Sequence, residues 1–175
     1  MTLNIIWAIV VTSIIVIAFY KIAKFYKKDY KEFSKYYINI NKRGFNISKC
    51  PLIKLKINGK FKYFLLDTGA AINALSMEGM KQIYKDEHVF SVIGQQQLVG
   101  INGTTDKYFK IIEETVSFNK DKVKTTFVVT DALEESIKNT KELCGIEFLG
   151  ILGAEFFNKA RWVLDLESLV VWVKK

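Results

Sequence analysis

A single Asp-Thr-Gly triplet, Asp67 to Gly69, ends one apolar run and opens onto small residues. Phe64 to Ser76 reads Phe-Leu-Leu-Asp-Thr-Gly-Ala-Ala-Ile-Asn-Ala-Leu-Ser. The aromatic and branched residues ahead of the triplet predict a strand. An aspartate at the end of a strand is held on a fixed backbone, and Gly69 lets the chain turn and come close to whatever faces it. That is how a carboxylate is displayed for attack. The triplet occurs once in 175 residues, so chemistry that needs two such carboxylates has to take the second from another copy of the chain.

The sequence around the triplet reads as short strands separated by turns. Leu52 to Ile57 alternates apolar residues with lysine, as a half-buried strand does, and Asn58-Gly59 marks a hairpin into the strand Phe61 to Leu66. Met77, Met80 and Tyr84 fall at helical spacing and predict a short helix over residues 77–85. Gln95 to Val99 and Tyr108 to Ile112 flank Gly100-Ile101-Asn102-Gly103-Thr104-Thr105, whose glycines suit a mobile hairpin tip. Val116 to Phe118 and Val123 to Val129 form another pair around Asn119-Lys120-Asp121, and Asp131 to Asn139 reads as either a helical turn or a solvated loop. Gly150-Ile151-Leu152-Gly153 is a brief buried run before a helix over Ala154 to Ala160. Trp162 to Leu166 and Leu169 to Val173 make a terminal hairpin. Many short strands with one or two small helices predict an all-β barrel.

Charge divides the chain. Residues 21–62 hold 13 Lys+Arg against 2 Asp+Glu, while residues 63–175 hold 13 against 16, so the net charge of +8 belongs to the start of the chain and not to the Asp67 region. Leu3 to Tyr20 carries no charge, and eighteen helical residues span roughly 27 Å, enough to cross a hydrocarbon core of about 30 Å. A cleavable leader fits less well, because Met1 to Asn4 is uncharged and Ala18-Phe19-Tyr20 is a poor cleavage site. Lysines 21, 24, 27, 28, 31 and 35 follow at once and predict that everything after the span faces the cytoplasm. Lys24, Lys28, Lys31 and Lys35 recur at helical steps, and Tyr26, Tyr30, Phe33 and Tyr37 recur two residues out of phase, on the opposite face of a helix. This pattern suits a helix lying among anionic headgroups, or simply a solvated continuation of the span. Asn39 to Asn46 reads as the linker into the folded part. The expected organisation is therefore a transmembrane anchor (1–20), a basic aromatic juxtamembrane segment and linker (21–45), and a folded domain (46–175).

The folded part resembles the retropepsin-like aspartic proteases, the family of the retroviral enzymes. Phe64-Leu65-Leu66-Asp67-Thr68-Gly69-Ala70 is similar to the family's catalytic corner, and Gly150-Ile151-Leu152-Gly153 leading into a helix is similar to its second signature. The Gly100 to Thr105 hairpin falls where the family carries its flap. The likeness covers about residues 46–175, and it departs from many relatives at Ala71 and Ala74 and in a longer Asp131 to Cys144 stretch. The resemblance implies a single-lobe β-barrel that works as a homodimer with Asp67 catalytic. Thr68, Gly69 and Ala70 would support the active-site loop. Gly100, Ile101, Asn102, Gly103 and Thr104 would close as a flap over an extended peptide, and Ile151, Leu152 and Gly153 would pack beneath the loop. It also implies that the terminal hairpin joins the subunits. Two carboxyl groups about 3 Å apart share one proton, so one acts as base toward a water and the other as acid toward the peptide carbonyl. Such a mechanism calls for no metal and no cofactor.

Other chemistries find little support. His88 is the single histidine, in a polar stretch, so a Ser-His or Cys-His mechanism would rest on one residue. Cys50 and Cys144 form no metal-binding pair and read as reduced thiols. Asp165 lacks a following Thr-Gly and reads as a turn residue. Nucleic acid is not an expected partner. The competing class is a catalytically silent peptide-binding or dimerisation module tethered to the membrane.

Overall fold

The computed structural model describes residues 34–84, 92–100 and 103–175, with the backbone alone over 96–100 and 103–107. The expected anchor (1–20) and its lysine-rich flank up to residue 33 lie outside the described residues, as do His88, Ile101 and Asn102. Among the described residues no helix is long and apolar enough to cross a membrane.

Ten strands and four helices follow one another in the described chain. β1 (Ser34–Asn39) and α1 (Lys42–Ser48) precede the hairpin of β2 (Leu52–Ile57) and β3 (Lys60–Leu66). Asn58 and Gly59 both take positive φ, 43° and 77°, the primed-turn geometry that follows the twist of the flanking strands. After the Asp67 corner come β4 (Ala74–Ser76) and α2 (Met77–Ile83), the latter capped by Ser76 Oγ accepting from the Gly79 N–H at 2.7 Å. β5 (Val92–Gly100), β6 (Gly103–Phe118) and β7 (Asp121–Thr130) form a meander. Then α3 (Glu134–Cys144), β8 (Phe148–Leu152), α4 (Ala154–Ala160), β9 (Trp162–Asp165) and β10 (Val170–Lys174) complete the fold.

Seven strands pair in the order β2-β3-β8-β4-β7-β6-β5, and a further β2–β6 pairing closes six of them into a barrel. β5 is left outside the ring, paired only with β6 among the described strands, as a hairpin standing off the barrel. Ile53, Leu55, Ile57, Phe64, Ile112, Val116, Phe127 and Leu152 fill the interior with no measurable exposure. The all-β barrel with short helices is therefore as the strand pattern predicts. Lys-rich β2 shows why the alternation was legible: Lys54 and Lys56 point out, and Ile53, Leu55 and Ile57 point into the barrel.

Several expectations are corrected. The stretch read as a linker, residues 39–46, is built into the fold, and the folded part begins by residue 34 rather than 46. β1 pairs antiparallel with β10 through Tyr37↔Trp172 and Ile38↔Val171, and α1 is capped by Asn41 and closes on Lys49 at φ 59°. Its short polar sequence hides the helix, whose one buried residue, Gly44, sits against the side-chain ends of Ile146 and Leu52. The helical opposition of Lys35 and Tyr37 is also absent, since in β1 both lie on the exposed side. Among the described residues the helices number four, not one or two, since the sequence reads as a linker over α1 and as a helical turn or loop over the eleven-residue α3. α3 covers a satellite cluster of Leu52, Ile137, Cys144 and Phe148 outside the barrel. Cys50 and Cys144 are free thiols.

The terminal run Leu169 to Val173 is not an edge. β10 is the central strand of a three-stranded sheet, β1-β10-β9, so both its sides are occupied within one chain. Asp165 is a turn residue, accepting from the Ser168 N–H at 2.9 Å and the Trp172 indole at 3.3 Å. Burial alone would raise its pKa, but these bonds and the Ser168 side chain together hold it below the ordinary value.

β6 runs unbroken through Glu113-Glu114-Thr115, where the sequence suggested two strands. Glu114 pairs with buried Thr125, and its half-buried carboxyl has a pKa raised above 4.5 by desolvation, only partly offset by a backbone hydrogen bond. A raised acid favours the folded state in its protonated form, so stability falls as pH rises from the unfolded pKa through the folded one. Glu114→Gln is expected to raise the melting temperature at neutral pH and leave it unchanged in acid well below the carboxylate range. Thermal unfolding at the two pH values measures this.

Candidate active site

β3 carries the chain through Phe64 and Leu66, both buried, to a half-buried Asp67, after which Thr68 and Gly69 are exposed. The Gly69 N–H donates to Asp67 Oδ1 at 2.9 Å, and the Ala70 N–H donates to the Asp67 carbonyl at 3.1 Å. These bonds tie the side chain to its own loop. Gly69 does not take positive φ. A Cβ there would stand 3.2 Å from Asp67 Oδ1, so glycine serves to keep the carboxylate uncrowded rather than to permit an unusual turn.

The loop is fixed from below by β8, which runs between the two strands the loop connects. β8 pairs parallel with β3 (Leu65↔Ile151, Leu66↔Leu152) and antiparallel with β4 (Ala74↔Ile151, Leu75↔Gly150). The Asp67 N–H donates to the Leu152 carbonyl at 3.1 Å, and the Ala154 N–H to the Ala70 carbonyl at 2.8 Å. Gly153 lies so close that a Cβ would overlap the Ile72 carbonyl oxygen and reach 2.6 Å from that of Ala70. Ile151 and Leu152, expected together beneath the loop, part company because successive strand residues face opposite ways. Leu152 lies in the barrel core, whereas Ile151 packs on the satellite cluster under α3.

One central residue escaped the sequence reading. Asn73 is fully buried; its Oδ1 accepts from the Gly153 N–H at 2.9 Å, and its Nδ2 donates to Thr125 Oγ1 and the Thr126 carbonyl, both at 3.0 Å. It thus stitches the far arm of the active-site loop to β7 and to the end of β8. Its signal was a lone amide in the run Ala70-Ala71-Ile72-Asn73-Ala74-Leu75, since a buried amide must find partners. Asn73→Ala is expected to cost about 3 kcal/mol, because it strands several buried polar groups at once. Urea unfolding of the two proteins measures the difference.

The flap residues are placed in part. β5 and β6 pair through Val99↔Thr104 and Gly100↔Gly103, which sets Gly100, Gly103 and Thr104 at one end of this strand pair, while Ile101 and Asn102 lie outside the described residues. An open cleft of about 580 Å³ is lined by Thr68, Ala154, Phe157, Trp162, Leu164 and Leu166. Among the described residues no group of three or more His, Cys, Asp or Glu gathers to hold a metal.

The family profile described as retroviral aspartyl protease matches residues 48–157, from α1 through Asp67 to α4. The chain belongs to that family. The protease is thereby an aspartic endopeptidase. Its fold is similar to the crystal structure of a retropepsin-like aspartic protease from Rickettsia conorii, at 17% identity over 78% of this chain and 88% of that one, with a TM-score of 0.50. Two viral proteases also match. The EIAV protease complexed with the inhibitor HBY-793 is 21% identical over 69% of this chain and 97% of that one, with a TM-score of 0.44. The simian foamy virus protease is 15% identical over 61% and 91%, with a TM-score of 0.39. No curated protein matches the chain.

Proposed function

We propose that the protein is a membrane-anchored aspartic endopeptidase, active as a homodimer, in which a water held between paired Asp67 carboxylates attacks the scissile peptide bond. The observation that carries this reading is one rigidly mounted Asp67 on an exposed Asp-Thr-Gly corner, in a chain whose sequence holds that triplet once. Two such corners about a two-fold axis set their carboxyl groups close enough to share a proton. The ionised member takes a proton from the water, and the protonated member gives one to the carbonyl oxygen. Thr68 would bond across the axis, as the family resemblance implies. The β5–β6 hairpin would close over a peptide read as an extended strand, with backbone bonds giving affinity and side-chain pockets selectivity.

The terminal sheet is the seam this dimer would use, though not through β10, whose two sides are filled. The edges of this sheet are β1 and β9; of the two, β9 borders the cleft at Thr68, and Leu166 at its end is 46% exposed. Specific activity on a peptide library is expected to rise with protein concentration until dimer is saturated. Leu166→Asp should shift that rise to at least about tenfold higher concentration, with the shift in association measured by analytical ultracentrifugation. Full activity from a strictly monomeric species would refute the dimer.

Leu3 to Tyr20 supports an uncleaved anchor by its length and lack of charge, and the lysines that follow support a cytoplasmic protease domain. Confinement to one bilayer raises the effective concentration of each half-site for its mate.

A further inference from the structure

The outer face of the barrel at the β2–β3 hairpin carries a chemistry that peptide hydrolysis does not use. Directly opposed residues of antiparallel strands point to the same side. The pairings Phe61↔Lys56, Lys56↔Ser117 and Ser117↔Lys122 therefore lay one row across β3, β2, β6 and β7. Lys54 and Tyr63 extend it along the hairpin, and Thr115 and Lys124 along the other two strands.

Phe61 is 65% exposed, the second most open large hydrophobic among the described residues after Tyr108. Its neighbours are lysine ammonium groups. Lys54 Nζ lies 5.8 Å from the Phe61 ring centre and 5.8 Å from that of Tyr63, and Lys56 Nζ lies 6.0 Å from Phe61. Lys122 is exposed, and so is Lys120 in the adjoining turn. The Glu113 carboxylate on this face is matched by its ion pair with Lys124, so the row keeps a positive excess. A strand face bearing lysines is ordinarily just solvated. An exposed phenylalanine set among them is what a solvated face does not need, and what an interface of headgroups over acyl chains rewards.

The position of the face supplies a second argument. The chain comes into the fold at β1, and its first residues are held at the Asn119–Lys120 turn: the Tyr36 hydroxyl donates to Asp121 Oδ2 at 2.7 Å, and Lys35 pairs with the same carboxylate at 3.7 Å. The described chain therefore begins beside the end of this row, and the uncharged run Leu3 to Tyr20 with the lysines behind it precedes that point in the sequence. We infer that the Lys54–Lys56–Phe61–Lys122 face is a docking surface for anionic phospholipid, which seats the protease domain on the bilayer. The inference rests on the anchored reading of residues 3–20. Seating fixes the tilt of each domain, so two copies on one leaflet meet with their Asp67 corners already oriented, and less orientational freedom is lost on pairing.

The test uses the full chain with Trp7→Phe and Phe61→Trp, read against Trp7→Phe alone so that Trp162 and Trp172 cancel, and mixed with vesicles whose acyl chains are brominated, made of phosphatidylcholine with or without phosphatidylserine. Flotation reports the N-terminal segment, and quenching of the added indole emission reports the face. Quenching is expected to be at least severalfold stronger with phosphatidylserine, to weaken with salt, and to vanish in a Lys54→Glu/Lys56→Glu variant that still floats and still cleaves peptide. Absent quenching, or equal quenching in both vesicles, overturns the inference even where the chain floats. Displacement of the vesicles from this face by a single-stranded oligonucleotide also overturns it and assigns the face to nucleic acid. Quenching with phosphatidylserine in a chain that does not float with phosphatidylcholine upholds the face and removes the anchor.

Discussion

Replacing Asp67 with asparagine is expected to lower peptide hydrolysis by at least about 10³-fold while the protein stays folded. The amide keeps the size of the side chain and an oxygen for the Gly69 N–H, which now donates to Oδ1 at 2.9 Å, so the loop retains its internal bond. What it loses is the proton inventory. In a pair built from two identical chains, both carboxyls disappear at once, and neither amide takes a proton from water or gives one to a carbonyl oxygen. Turnover by matched preparations of the two proteins, with circular dichroism as the check on folding, measures the effect. Equal turnover would end the aspartic protease reading of this site, whatever the fold. Absence of cleavage by either protein would favour the silent peptide-binding module.

Gly150→Ala is expected to destabilise the domain by about 3 kcal/mol or more, among the larger effects of any one-carbon change. Gly150 lies in β8 where that strand passes between β3 and β4. A Cβ there would overlap the Ala74 carbonyl oxygen and stand 3.0 Å from the Leu75 Cα. Those are backbone atoms held on both sides, so no rotamer change relieves the overlap, and β8 must move away from the active-site loop. Movement there strains the Asp67 N–H to Leu152 carbonyl bond at the same time. Activity is therefore expected to fall with stability. Chemical unfolding and peptide turnover on one preparation would show both; wild-type stability would mean that β8 has room the geometry denies it.

Much of the barrel was legible because its strands announce themselves locally. Asn58-Gly59 demanded a tight hairpin and took positive φ at both residues. Leu52 to Ile57 showed its inner and outer faces by alternation, and Asp-Thr-Gly after an apolar run marked the corner. The less legible elements are those whose reason lies elsewhere in the chain. α1 looked like a linker, since its seven residues bury little of their own and are held by Asn41 and by contact with Leu52 and Ile146. Asn73 looked like one amide among small residues, and its importance exists only where Gly153, Thr125 and Thr126 come to meet it. Leu169 to Val173 looked like an exposed edge because the strand that covers it, β1, comes more than a hundred residues earlier.

The sequence by itself determined the reacting group, the family and the succession of strands, for these depend on residue type and on neighbours a few positions apart. Tertiary structure alone decided that six strands close into a ring, that β8 runs between the two strands joined by the active-site loop, that β10 is enclosed between β1 and β9, and that lysines of β2 and β7 share an outer row with Phe61. The physical reason is that periodicity tells which face of a strand is apolar but not which strand will lie beside it. That choice is made by the whole core at once, when burial of Phe64, Phe127, Phe156 and their neighbours outweighs the entropy of bringing distant segments together.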